Sequence, residues 1–124
     1  MSLFDSLLIA HFLGDWLFQT EWQALHKRTH WGAMWSHVAV YHAVVLAVLL
    51  LQLPARTLEI FAAVGILALS HAWIDREWPI VRLMKALRIV RVRAPERWLV
   101  VIVDQIVHVT LLAIAAEVLS RAGP

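Results

Sequence analysis

Between Trp31 and Leu53 the chain carries no Asp, Glu, Lys or Arg. A stretch of that length and polarity suits a helix crossing a bilayer, where no water is at hand and backbone groups must satisfy one another within the segment. Three more segments read the same way once hydropathy is weighed against charge: Leu3 to about Ala24, Leu58 to about Asp75, and Trp98 to Leu119. The four use nearly all of the 124 residues, so residues 1–124 read as one membrane domain. Composition agrees, at 61% hydrophobic and 16% charged, where a soluble domain carries about 25% charged residues. Breaks fall at "HKRTH" (26–30), "LPAR" (53–56) and "RAPER" (93–97), with Pro54 ending the second segment. The predicted fold is an all-α integral membrane protein, a four-transmembrane-helix bundle.

Orientation follows from the basic residues. Lys27, Arg28, Arg76, Arg82, Lys85, Arg88, Arg91, Arg93 and Arg97 fall in the first and third connections, and only Arg56 and Arg121 on the other side. The positive-inside rule then puts those two connections in the cytoplasm of an inner membrane and both termini outside. The isoelectric point of about 9.7 is explained by this asymmetry and does not call for a nucleic-acid partner. Tryptophans near segment ends, Trp22, Trp31, Trp78 and Trp98, suit interfacial anchoring. The third connection, 77–93, mixes basic residues with Trp78, Ile80, Val81, Leu83, Met84 and Leu87. It reads as an amphipathic helix on the cytoplasmic leaflet, although the alternation in "IVRVR" would also suit an extended stretch. The first segment has no basic stretch ahead of it and no small-residue cleavage site, so it is expected to be a retained helix and not a signal peptide.

The apolar segments nevertheless carry ionisable residues at spacing four: "HFLGD" (His11, Asp15), "HAWID" (His71, Asp75) and "DQIVH" (Asp104, His108). The second segment holds His37, Tyr41 and His42. Spacing four puts both members of a pair on one helix face, about 6 Å apart along the axis. The first and third segments run one way and read His then Asp; the fourth runs back and reads Asp then His. All three aspartates therefore fall nearer the cytoplasm and all three histidines one turn deeper, with His37 near the first layer and Tyr41 or His42 near the second.

Ionisable groups at membrane depth cost several kcal/mol unless paired, solvated or metal-bound. One account is that each His bonds its own Asp, or a neighbouring helix, and only holds the bundle together. The consistent order favours a shared centre in which His11, Asp15, His37, His71, Asp75, Asp104 and His108 ligate one or two divalent ions. No cysteine is present, which excludes disulfides, iron–sulfur clusters and thiolate sites. Nitrogen and oxygen donors suit zinc first, with manganese or iron as alternatives. Asp75 and Asp104 are the candidates to bridge metals and serve catalysis. Gln19, Lys27, Arg76 and Gln105 are candidates to bind substrate or orient a ligand. His26 and His30 read as solvated, and Met34 and Met84 as apolar filling.

The string "HFLGDWLFQTEW", followed by Lys27, His37 with Tyr41, "HAWID" and "DQIVH", resembles the small bacterial membrane proteins catalogued as domain of unknown function 3307. The resemblance spans nearly the whole chain and implies a helical membrane protein with these motif residues at its centre; it implies no reaction. The expected function is a metal-dependent hydrolase acting on a phospholipid or lipid-phosphate substrate at the bilayer. A divalent-metal or proton transporter and a non-catalytic scaffold are the alternatives. A homo-oligomer is allowed for, since a second copy could complete the site.

Overall fold

The computed structural model describes residues 1–90 and 95–122, and among them there are helices and no strand. The first helix, α1 (Leu3–Phe12), starts at a capping box in which Ser2 Oγ accepts from the Asp5 N–H at 3.1 Å and Asp5 accepts from the Ser2 N–H at 2.9 Å. It widens into a π-helical turn, Leu13–Leu17, and stops. A second capping box follows: Thr20 Oγ1 accepts from the Gln23 N–H and Gln23 Oε1 from the Thr20 N–H, opening the short helix α2 (Glu21–His26). The segment read above as one helix from Leu3 to Ala24 is therefore three pieces. The physical reason is the "TEWQ" at 20–23, whose side chains reciprocally satisfy backbone donors and favour a fresh start over continuation.

The three long helices are α3 (Trp31–Gln52), α4 (Thr57–Ile74) and α6 (Arg97–Arg121), and each is long and apolar enough to cross a membrane. His30 is not merely solvated: its Nδ1 accepts from the Ala33 N–H and caps α3. The ten residues of α1 and five of the π turn rise roughly 20 Å, short of the roughly 30 Å hydrocarbon layer. Four helices pack in a closed ring, α1 against α3, α3 against α4, α4 against α6 and α6 against α1. Their outward faces expose Leu51, Phe61, Ile66, Leu69, Ile106 and Ile114, as lipid-facing helices do.

Gly14 allows a close approach in the ring. A Cβ there would lie 2.8 Å from Tyr41 Cδ2 and 3.0 Å from Tyr41 Cα, so only hydrogen fits between the π turn and α3. One half of the bundle is an apolar core built on Leu7, Val45, Leu49, Ile60, Leu112 and Leu119. The other half holds the polar side chains.

The amphipathic helix α5 (Trp78–Ala86) lies between α4 and α6 in sequence, with Pro79 in its first turn. Its apolar side is turned against protein: Ile80 and Met84 are buried with Ile74 and Val100. Met34 is likewise fully buried. The chain enters α5 through Glu77, whose φ of 67° is the left-handed conformation uncommon outside glycine. The remainder of the connection, Arg91 to Arg93, with its alternation, lies outside the described residues.

Candidate metal centre

Asp75 caps the C-terminal end of α4, one turn beyond His71, and both side chains turn inward. Its two oxygens face different partners. Oδ2 lies 3.2 Å from His71 Nε2, 3.2 Å from His37 Nε2 and 2.7 Å from Lys27 Nζ. Oδ1 lies 3.5 Å from His108 Nε2 on α6. From the π turn Asp15 adds Oδ1 at 3.1 Å from His37 Nε2. The donor atoms of Asp15, His37, His71 and Asp75 all fall within 4.8 Å of one another, and all four residues are buried. A second group, Asp75, Asp104 and His108, meets the same limit. A tetrahedral ion with bonds of about 2.0–2.1 Å separates its donors by about 3.3 Å, which the 3.0–3.2 Å contacts among His37, His71, Asp75 and Asp15 approach. The buried His/Asp groups could thus hold a metal ion.

The tautomer of His108 favours a cation between the helices. His108 Nδ1–H donates to the Asp104 carbonyl at 2.9 Å, so the Nε2 of the neutral ring is an acceptor; it is buried and has no hydrogen-bond partner among the described residues. That is how ligating histidines are held, one nitrogen fixed by a carbonyl and the other left open.

Gln105 ties the outer edge together. Its amide nitrogen donates to Asp15 Oδ2 at 2.9 Å and Asp104 Oδ2 at 3.2 Å. Its oxygen accepts from His11 Nε2 at 2.8 Å and from the indole N–H of Trp16 at 3.3 Å. Carboxylates can only accept, so this amide orientation is unambiguous. With Nε2 committed to Gln105 and Nδ1 accepting from the Tyr41 hydroxyl at 3.0 Å, both nitrogens of His11 are occupied. His11 thus stands outside both donor groups, and Gln105 faces carboxylates more than solvent.

The layering expected from the order of the motifs is present. His11, Tyr41, His71 and His108 touch in a closed ring, with centroids 5.6, 4.2, 4.6 and 5.7 Å apart in turn. His37, one turn before Tyr41, joins the aspartates above them.

Lys27 is deeper than a rim residue. The two turns of α2 carry it back over the aspartates, where Nζ also lies 3.4 Å from Asp15 Oδ1 and 3.4 Å from His37 Nε2. Burial alone would lower its pKa, but the carboxylates of Asp75 and Asp15 outweigh that and hold the ammonium above its ordinary value. Gln19 donates to the Asp15 carbonyl at 2.8 Å and lines the mouth. Arg76 lies elsewhere, its guanidinium 4.2 Å from the centroid of Trp31.

The cluster opens into a cavity of about 190 Å³, bordered by Trp16, Gln19, Lys27, Arg28, Glu77 and Arg97. Glu77 and Arg97 were not legible as site residues: Glu77 Oε2 accepts from Arg28 at 2.5 Å and from Arg97 at 2.9 Å, joining three chain segments far apart in sequence. The signal for Trp16 was its place directly after Asp15.

No curated protein and no solved structure matches the chain. The family described as Protein of unknown function (DUF3307) matches residues 3–123, nearly the whole chain and every motif residue of the cluster. The chain belongs to that family.

Proposed function

We propose that the protein is a metal-dependent hydrolase that cleaves a phosphate ester on a membrane-associated substrate. The observation that carries this reading is Asp75, one carboxylate with Oδ2 toward His37 and His71 and Oδ1 toward His108, beside a cavity bordered by cations. Charge supports it: Asp15, Asp75 and Asp104 set three carboxylates against the one ammonium of Lys27, so the cluster is acidic and favours a divalent cation. In this reading His37, His71, Asp15 and Asp75 hold one ion, and Asp75, Asp104 and His108 a second, with zinc first among the candidates.

A bound ion supplies Lewis acidity toward a phosphoryl oxygen and acidifies a water. Lys27, Arg28 and Arg97 draw the phosphate into the mouth. Gln105 orients Asp15 and Asp104 by donating to both, and the His11 to Tyr41 bond supports Gln105 from beneath. Water adds across the phosphorus–oxygen ester bond, releasing inorganic phosphate and the lipid alcohol. The site would lie at the cytoplasmic side of an inner membrane, with α1 as a fourth, short span and both termini outside. The apolar core from Leu7 to Leu119 closes the opposite half, which supports a one-sided site over a conduit.

The test is elemental analysis of the detergent-purified protein beside Asp75→Asn, with phosphate release measured from a phosphorylated lipid. One or two equivalents of metal, lost in the variant together with turnover, support the reading. Metal without phosphate release removes the hydrolase. No metal after resupply leaves a structural His/Asp network.

A further inference from the structure

Beside the mouth, the turn after α2 and the first turns of α5 enclose a second recess of about 630 Å³, lined by Arg28, Thr29, Arg76, Trp78, Arg82 and Lys85. Its acid, Glu77, is already taken up by Arg28 and Arg97. The arginines are held in place by aromatic faces: Arg76 Cζ lies 4.2 Å from the Trp31 centroid and Arg82 Cζ 5.0 Å from that of Trp78. Stacking uses the flat face of a guanidinium and leaves its N–H edge free to donate.

The level of the recess identifies the anion. All seven tryptophans lie at this end of the bundle: Trp16 in the π turn, Trp22 in α2, Trp31 and Trp35 in the first turns of α3, Trp73 at the end of α4, Trp78 and Trp98 at the starts of α5 and α6. Every one of them is exposed. Such a belt marks the depth at which headgroups meet water. The recess opens among these rings, and its cations face the layer where lipid phosphates are dense.

We propose that this recess seats the phosphate of a phospholipid headgroup, with Arg76 and Arg82 as its donors. The seat goes beyond the hydrolase reading and does not need a metal. Because Arg28 and Glu77 border both the recess and the mouth, a lipid held here lies beside the candidate metal centre.

The experiment titrates detergent-purified protein in chelator with dihexanoyl phosphatidic acid, dihexanoylglycerol and inorganic phosphate, following tryptophan fluorescence and calorimetric heat. The expected result is saturable binding of the phosphatidic acid alone at low concentration, weakened about tenfold by Arg76→Gln and by Arg82→Gln. Arg121→Gln, which alters an exposed ion pair with Glu117, should bind as the parent does. Circular dichroism confirms that each variant keeps its helices. Unchanged binding by both variants overturns the seat, and so does equal affinity for dihexanoylglycerol. Inorganic phosphate binding as tightly as the lipid would mark a free-phosphate site instead. Binding that appears only on restoring metal would place the lipid in the mouth and overturn the seat, whereas loss of metal with lipid binding intact bears only on the hydrolase.

Discussion

His37 and His71, from adjacent helices, bring their Nε2 atoms to 3.0 Å, and each lies 3.2 Å from the same oxygen, Oδ2 of Asp75. Two neutral imidazoles at that distance share one hydrogen at most, and a cation among the three atoms would satisfy all of them. Loading with cobalt tests this: the expected visible spectrum has the intensity of a tetrahedral ion, reduced in His37→Ala and in His71→Ala. A weak octahedral spectrum in the parent would contradict the four-donor arrangement.

Lys27 occupies part of the space such an ion needs, so the two compete. Lys27→Met should leave Asp75 and Asp15 without their ammonium and destabilise the chelated protein by about 3 kcal/mol. The same variant should bind zinc about tenfold more tightly, because no ammonium has to be displaced. Thermal unfolding with chelator and with zinc reads both effects. In the parent the folded pKa of Lys27 is above its ordinary value, so its stabilisation is whole below pH 10.5 and lost only as pH rises through the folded value. A chelated protein losing stability between pH 7 and 9 through Lys27 would contradict the pairing.

Gln105 touches four side chains and offers neither donor group a ligand of its own. Gln105→Leu should lower metal affinity about 10- to 100-fold while keeping stoichiometry, the usual cost of losing a partner that orients ligands. Competition against a chromogenic chelator measures it. Parent-like affinity would show that Asp15 and Asp104 need no such support.

Two of the glycines in the bundle, Gly14 and Gly65, should respond in opposite directions. Gly14→Ala drives a methyl into Tyr41 and should cost about 1–3 kcal/mol, loosening the Tyr41 to His11 bond. Gly65→Ala meets nothing within 4 Å and should raise stability by about 0.5–1 kcal/mol through helix propensity. Denaturation midpoints in one detergent compare the pair, and a stabilised Gly14→Ala would show that the π turn is free to move away.

Hydropathy alone reads α3, α4 and α6 from the sequence, because a helix apolar on all sides needs no tertiary partner to be recognised. The order of letters in "HAWID" and "DQIVH" likewise reveals which end the aspartates share, since spacing and helix direction are local properties. What local reasoning misses is decided by distant contacts. Spacing four puts His11 on the face of Asp15, yet Gln105 and Tyr41, from two other helices, occupy its nitrogens. Lys27 reads as a rim residue until "TEWQ" is given its weight as a helix start, because only the turn at Thr20 folds it over Asp75. The apolar residues of α5 read alike in the sequence, but Ile74 and Val100 cover Ile80 and Met84 and leave Trp78 and Leu83 exposed.

Glu77 gathers Arg28 from the turn after α2 and Arg97 from the start of α6, while its own backbone sets the bend between α4 and α5. One carboxylate is therefore a clasp across three connections, partly open to water, whereas the contacts it guards are buried. Salt weakens such exposed attractions and hardly reaches the interior. Access to the cluster is consequently the property most sensitive to ionic strength, and the entrance can loosen while the chamber behind it keeps its shape.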